Sequence, residues 1–224
     1  KESIDAFLER TGDKHMQTFF DGYEKFPFYH HIIDKLDKSV LEDENSKKYA
    51  FIKTMMAADG EDYGSLPKGL IPFHYYGCYK ATAFEEHLHE AAAYAAKNDH
   101  AALHFTVSPE HKEAFKKEYD TIHASVSNTT GVNFEVSYSF QKAETDTVAV
   151  TMDNKLYRQE NGELLFRPGG HGALIENLND VDADLIFIKN IDNVLVQDQI
   201  QALARSKRIL AGLLLEKQEQ VFKY

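Results

Sequence analysis

Cysteine occurs once, as Cys78, so the chain forms no intrachain disulfide and lacks the spaced cysteine pair of a common structural zinc site. No apolar run approaches the roughly 20 residues needed to span a bilayer, and the longest, such as residues 209–215, are core-sized. Positive charge is scarce: 25 Lys and Arg against 36 Asp and Glu leave a formal net charge of -11. That balance argues against non-specific attachment to nucleic acid or to anionic membranes, which depends on summed cationic attraction, while leaving room for a local basic pocket. The phosphate loop ending in Gly-Lys-Ser/Thr, the spaced-glycine dinucleotide fingerprint and the Gly-x-Ser-x-Gly nucleophile elbow are all absent. Repeats, low-complexity tracts and a signal-peptide pattern are missing too. Together these absences predict a soluble protein in a reducing, cytoplasmic setting. A start at Lys1 with no initiator methionine predicts a fragment of a longer protein.

What is present suits a globular domain. The 224 residues are enough to bury a full core, and 43% hydrophobic with 27% charged residues excludes disorder. Residues 1–60 carry apolar side chains at helical spacing, as in Ile4, Phe7 and Leu8, then Ile32, Ile33 and Leu36, predicting two or three helices. The glycine-punctuated segment 59–65 ends this part. Beyond it the spacing predicts a helix from Thr82 to about Lys97, a strand at 102–107, a helix opened by Ser108-Pro109, and a strand at 132–140. Short strands at 148–151 and 164–166, a short helix at 172–178, a buried strand at 184–191 and a long amphipathic helix from about Gln197 complete the reading. Strands alternating with helices imply an α/β fold with a largely parallel sheet over a core of residues 61–196, followed by the helix of 197–224.

Three motifs carry chemistry. Leu66-Pro67-Lys68-Gly69-Leu70-Ile71-Pro72-Phe73 holds a lysine in a proline-bracketed loop ahead of an expected helix, so an ammonium can be aimed at an anion at low ordering cost. Phe140-Gln141, with the later Arg167-Pro168-Gly169-Gly170-His171-Gly172, offers glycines that let backbone approach a flat ligand and a helix start with free amides. Ile186-Phe187-Ile188-Lys189-Asn190-Ile191-Asp192-Asn193 ends an apolar run in a carboxylate, where a hard cation can bind beyond the carboxyl end of a strand. Each has a plainer reading: a surface lysine in a turn, a flexible glycine turn, an aspartate that begins a turn. His87-Leu88-His89-Glu90 reads as a solvated helix face, because residues two apart on a helix point in different directions.

The order of the motifs resembles that of the UDP-sugar pyrophosphorylases over residues 66–196, most of all the eukaryotic-type UDP-N-acetylhexosamine enzymes and next the UDP-glucose enzymes. Pro67-Lys68-Gly69-Leu70, Lys80 with the helix containing Phe84 and Glu86, Phe140-Gln141, Pro168-Gly169-Gly170-His171-Gly172 and Ile191-Asp192-Asn193 carry that likeness. The chain is also similar to a family of bacterial proteins that carry a domain of unknown function and share these motifs. The resemblance implies a three-layer, mostly parallel Rossmann-like sheet of the nucleotide-diphospho-sugar transferase type, with residues 1–60 as an N-terminal helical segment like an insertion. It implies that Lys68 contacts nucleotide phosphate, and that Asp192 holds Mg2+ beside the α-phosphate. Gln141 would read the base, with Gly169, Gly170 and Gly172 against the nucleotide, and His171 and Asn193 would lie on the sugar side. The implied ligands are a nucleoside triphosphate and a sugar 1-phosphate, with the base, the sugar and the oligomeric state left open. The glycine-rich, arginine-bearing loop that opens those enzymes is not in this sequence. That departure puts activity of the fragment in doubt, and a non-catalytic nucleotide- or sugar-phosphate-binding or regulatory module on the same fold is the alternative.

Overall fold

The computed structural model describes residues 3–224, which divide into two compact units: residues 3–87 with 190–196, and residues 88–189 with 197–224. No helix among the described residues is long and apolar enough to cross a membrane.

The first unit is built on five helices, α1 (Ile4–Thr11), α2 (Lys14–Gly22), α3 (Tyr29–Ile33), α4 (Lys38–Leu41) and α5 (Glu44–Met56). Their starts follow from short polar side chains: Ser3 accepts from the Ala6 amide, Asp13 from those of His15 and Met16, and Asp43 from that of Ser46. Apolar stripes converge on one core of Leu8, Phe20, Tyr23, Phe28, Ile32 and Phe51, and the ring of Phe51 meets that of Tyr23 edge-on at 5.1 Å between centroids. After α5 the chain turns back where a Cβ at Gly60 would collide with the Thr54 carbonyl. A single 3-10 turn, Lys68–Leu70, then leads into an antiparallel pair, β1 (Pro72–Tyr75) and β2 (Lys80–Thr82). The expected helix after Lys68 is therefore a strand. Pro72 opens β1, a position where a strand tolerates a residue without an amide donor.

Thr82 accepts from the Glu85 amide and starts α6 (Ala83–Tyr94); the boundary between the units falls within this helix, after His87. In the second unit β3 (His100–Thr106) pairs in parallel with β4 (Asn133–Ser139), from His100 opposite Asn133 to Thr106 opposite Ser139. The connection is α7 (Lys112–Thr130), stopped by Gly131 in the left-handed conformation, so β3–α7–β4 is one complete βαβ unit. A small antiparallel pair follows, β5 (Thr147–Val148) and β6 (Phe166–Arg167), then α8 (Ile175–Asn179) and the long α9 (Ile200–Val221). Ile200 and Ala204 of α9 pack on Ala93 of α6.

The architecture of the described residues is mixed α/β with three two-stranded sheets, and the extended parallel sheet expected from the sequence is present among them only as β3 and β4. The run 184–191 is not a strand. Its odd-numbered side chains Leu185, Phe187 and Lys189 turn inward while Ile186 and Ile188 face out, the alternation of an extended segment, but no neighbouring backbone pairs with it. The 87–90 segment of α6 is likewise not a solvated face: His87, Leu88, His89 and Glu90 are all buried.

Candidate functional site

Lys68 lies on the 3-10 turn that precedes β1, and Asp192 lies in a turn closed by the Asn193 amide donating to the Asn190 carbonyl at 3.1 Å. The two residues, 124 positions apart, meet within the first unit: Lys68 Nζ is 3.0 Å from Asp192 Oδ2. Both side chains remain open to solvent, at 69% and 43% exposure, so the pair is accessible to an incoming anion or cation. Asn193 is exposed beside it.

His87 fixes the aspartate side of this pair. Its Nε2 donates to the main-chain carbonyl of Ile191 at 3.1 Å, attaching the segment 190–196 to α6 one residue before Asp192. Next to His87 on the same helix, Glu86 is fully buried. Its Oε1 accepts from His74 Nδ1 at 2.8 Å and from the Tyr76 hydroxyl at 2.6 Å, and its Oε2 has no hydrogen-bond partner. Sequence reading named Glu86 only as part of a helix, took His87 as part of a solvated face, and passed over His74 and Tyr76. The available signal was the spacing of His74 and Tyr76, two residues apart along an extended run and so on one face.

A second charged cluster of the same unit gathers on Glu61. Its carboxylate takes His31 Nε2 at 3.0 Å, Lys80 Nζ at 3.3 Å, the Tyr63 hydroxyl at 3.2 Å and the Lys35 ammonium. Burial alone would raise its pKa, but the hydrogen bond from Lys35 and the charges of Lys80, His31 and Lys35 outweigh it and hold the carboxyl down at about 2.

In the second unit Gln141 follows β4, at the carboxyl end of the parallel pair, and its Nε2 donates to Asp146 Oδ1 at 3.1 Å. The glycine turn packs on the same loop. A Cβ at Gly169 would come within 2.9 Å of both the Thr145 carbonyl oxygen and the Ala173 Cβ, and 3.7 Å of Gln141 Nε2. Gly170 and Gly172 face open space, and Gly170 precedes a 3-10 turn that begins with the exposed His171. Asn177 of α8, which sequence reading missed, ties these pieces together: buried, it donates from Nδ2 to the Phe140 carbonyl at 2.7 Å and to Ser139 Oγ at 3.0 Å. The structure thus brings Lys68 to Asp192 in one unit and Gln141 to Gly169 in the other.

Among the described residues no group of three or more His, Cys, Asp or Glu side chains is arranged to hold a metal ion. Mg2+ keeps several waters and binds through one or two carboxylates plus substrate phosphates. The exposed carboxylate of Asp192, a hard oxygen donor, fits that role.

A family model described as "Domain of unknown function (DUF4301)" matches residues 1–224. No curated protein and no solved structure matches the chain.

Proposed function

The chain belongs to the DUF4301 family, and we propose that it is a nucleotidyltransferase domain of the sugar-nucleotide pyrophosphorylase kind, which joins a nucleoside triphosphate to a sugar 1-phosphate and releases pyrophosphate. The observation that carries this reading is the contact of Lys68 with Asp192 at 3.0 Å. Two motifs singled out for phosphate and metal chemistry, far apart in sequence, supply one adjacent, solvent-open pair of opposite charges. The β3–α7–β4 unit supports the further proposal that the fold belongs to the nucleotide-diphospho-sugar transferase type.

In this reaction a phosphate oxygen of the sugar 1-phosphate attacks the α-phosphorus while the bond to the pyrophosphate oxygen breaks, and no covalent enzyme intermediate forms. Little is asked of the protein beyond positioning and neutralising charge. Lys68 exchanges Asp192 for the phosphate oxygens, where a fixed ammonium stabilises the charge that builds up in transfer. Asp192 would hold Mg2+, which when bound supplies Lewis-acid neutralisation of the same oxygens. Gln141, Gly169, Gly170, Gly172 and His171 keep the nucleotide and sugar roles that the resemblance implies, and Asn193 its sugar-side role.

One observation favours the non-catalytic reading, a nucleotide- or sugar-phosphate-binding module: Lys68 and Asp192 pair with each other. Pyrophosphate release, followed with Mg2+ and a panel of nucleoside triphosphates and sugar 1-phosphates, separates the two. The enzymatic reading expects release with at least one pairing, lost in Lys68→Met and in Asp192→Asn. Nucleotide binding without release from any pairing selects the binding module, and turnover undiminished in Asp192→Asn removes that residue from the chemistry.

A further inference from the structure

His74 of β1 and Tyr76, the residue that follows the strand, converge on the same oxygen of Glu86, at 2.8 Å and 2.6 Å. Burying a carboxylate is costly unless partners compensate it, so an apolar side chain would serve the packing better. A carboxylate only accepts, so Nδ1 of His74 carries the hydrogen and, in the neutral ring, the lone pair resides on Nε2. That nitrogen makes no hydrogen bond among the described residues, and the imidazole is 18% exposed. A ring fixed at one nitrogen by a buried carboxylate, with the other open to solvent, is the arrangement of a general base with its orienting group. The absence of a further ligand cluster among the described residues argues against a metal at Nε2.

We infer that His74 is a proton acceptor for a phosphate monoester, with Glu86 and Tyr76 as its positioning residues. The inference rests on the proposed sugar 1-phosphate chemistry. A phosphate monoester loses its second proton near pH 6, close to the range of imidazole, so at neutral pH a fraction of the substrate still carries that proton. Its transfer breaks one phosphate O–H bond and forms one N–H bond at Nε2, leaving the dianion whose oxygen attacks. The imidazolium so formed is balanced by Glu86 and donates back to the phosphate, and its proton returns to water after turnover. Placement agrees with this role: Glu86 orients His74, and its neighbour His87 anchors Ile191 beside Asp192, so one turn of α6 supports both groups.

The test is imidazole nitrogen NMR on the whole chain, titrated with α-glucose 1-phosphate and separately with inorganic phosphate at pH 6 and 7.5, for the parent, His74→Gln and Glu86→Gln. Melting curves monitor folding. The expected result is a shift of the His74 Nε2 signal on adding the sugar phosphate and a loss of affinity in His74→Gln of about tenfold or more, the size of a hydrogen bond to a charged group. Glu86→Gln should move the His74 Nδ1 signal, because the carboxylate that faces that nitrogen is removed. If it fails to fold, His74→Gln, at a partly exposed position, decides alone. A His74 signal that stays still at saturating phosphate, or parental affinity in His74→Gln, overturns the inference. Sugar phosphate binding at His74 without magnesium-dependent pyrophosphate release would keep the site and remove the pyrophosphorylase reading. Release lost in Asp192→Asn but unchanged in His74→Gln would do the reverse.

Discussion

His87 donates from Nε2 to the main-chain carbonyl of Ile191 at 3.1 Å, across 104 positions of sequence. The bond places the turn that presents Asp192 under the control of a buried helix. Removing the imidazole leaves that carbonyl without this donor and the turn without its anchor. His87→Ala is expected to lower stability by about 1–3 kcal/mol, the cost of an unmet buried polar group. It should also speed amide exchange at residues 190–193 more than in β3 and β4. Urea unfolding and hydrogen exchange measure both, and exchange raised evenly along the chain would show that His87 does not hold this turn in particular.

The Glu61 cluster makes a prediction about acid. Its carboxyl is depressed from the ordinary 4.5 to about 2, so the folded state holds the proton less tightly than the unfolded one. The stabilisation is therefore complete above pH 4.5 and disappears as pH falls through about 2. Glu61→Gln removes that dependence. It should lower the urea midpoint at pH 7 and flatten the decline between pH 4.5 and pH 2 relative to the parent. Parallel curves for the two proteins through that window would show that other carboxyls govern acid unfolding.

Local patterns were readable wherever one element buries one face. The spacing of Phe84, Leu88 and Ala91 announced α6, Ser108-Pro109 announced the entry to α7, and the regular runs of β3, β4 and α9 stood out in the same way. The long-range partners were not readable. His87 to Glu90 looked polar and solvated, yet the Ile191 carbonyl accepts from His87 and Lys189 donates to Glu90, which makes these residues tolerable inside, and neither partner is near them in sequence. The run 184–191 has the composition of a buried strand, but a strand needs a neighbour, and composition does not reveal whether one is offered. Of the candidate site, the pairing of Lys68 with Asp192 could be reached only through motif order, because nothing local links them.

The glycine turn separates packing from function. A side chain at Gly169 would press on the Thr145 carbonyl and the Ala173 methyl at 2.9 Å, whereas Gly170 and Gly172 have open space around them. Gly169→Ala is expected to cost about 1–3 kcal/mol, as for other overpacked sites. Gly170→Ala and Gly172→Ala should stay within about 0.5 kcal/mol, as for surface changes. If nucleotide backs onto Gly170, its alanine variant weakens nucleotide binding without loss of stability. Denaturation midpoints together with calorimetric titration of nucleotide distinguish the two costs.

Two of the lysine–carboxylate pairs are of opposite energetic character, and the difference yields the last prediction. Lys68 and Asp192 are both solvent-open, and such pairs contribute about 0–1 kcal/mol, so breaking this one should hardly alter stability whatever it does to activity. Glu90 is fully buried and the Lys189 side chain nearly so, and Glu90 also accepts from the Tyr94 hydroxyl at 3.3 Å. Burial first, and then the adjacent Glu90 charge, push the Tyr94 phenol up. Taking away one member strands the other charge, so Glu90→Gln and Lys189→Met should each destabilise by about 3–5 kcal/mol. Removing both leaves no charge to strand. The double variant should therefore be more stable than either single one, a coupling that urea unfolding of the four proteins measures directly. Additive losses would mean that the pair is hydrated in solution and that α6 does not depend on it. A double variant near the parent would show that the ion pair selects this arrangement of α6 and the 181–190 segment rather than strengthening it.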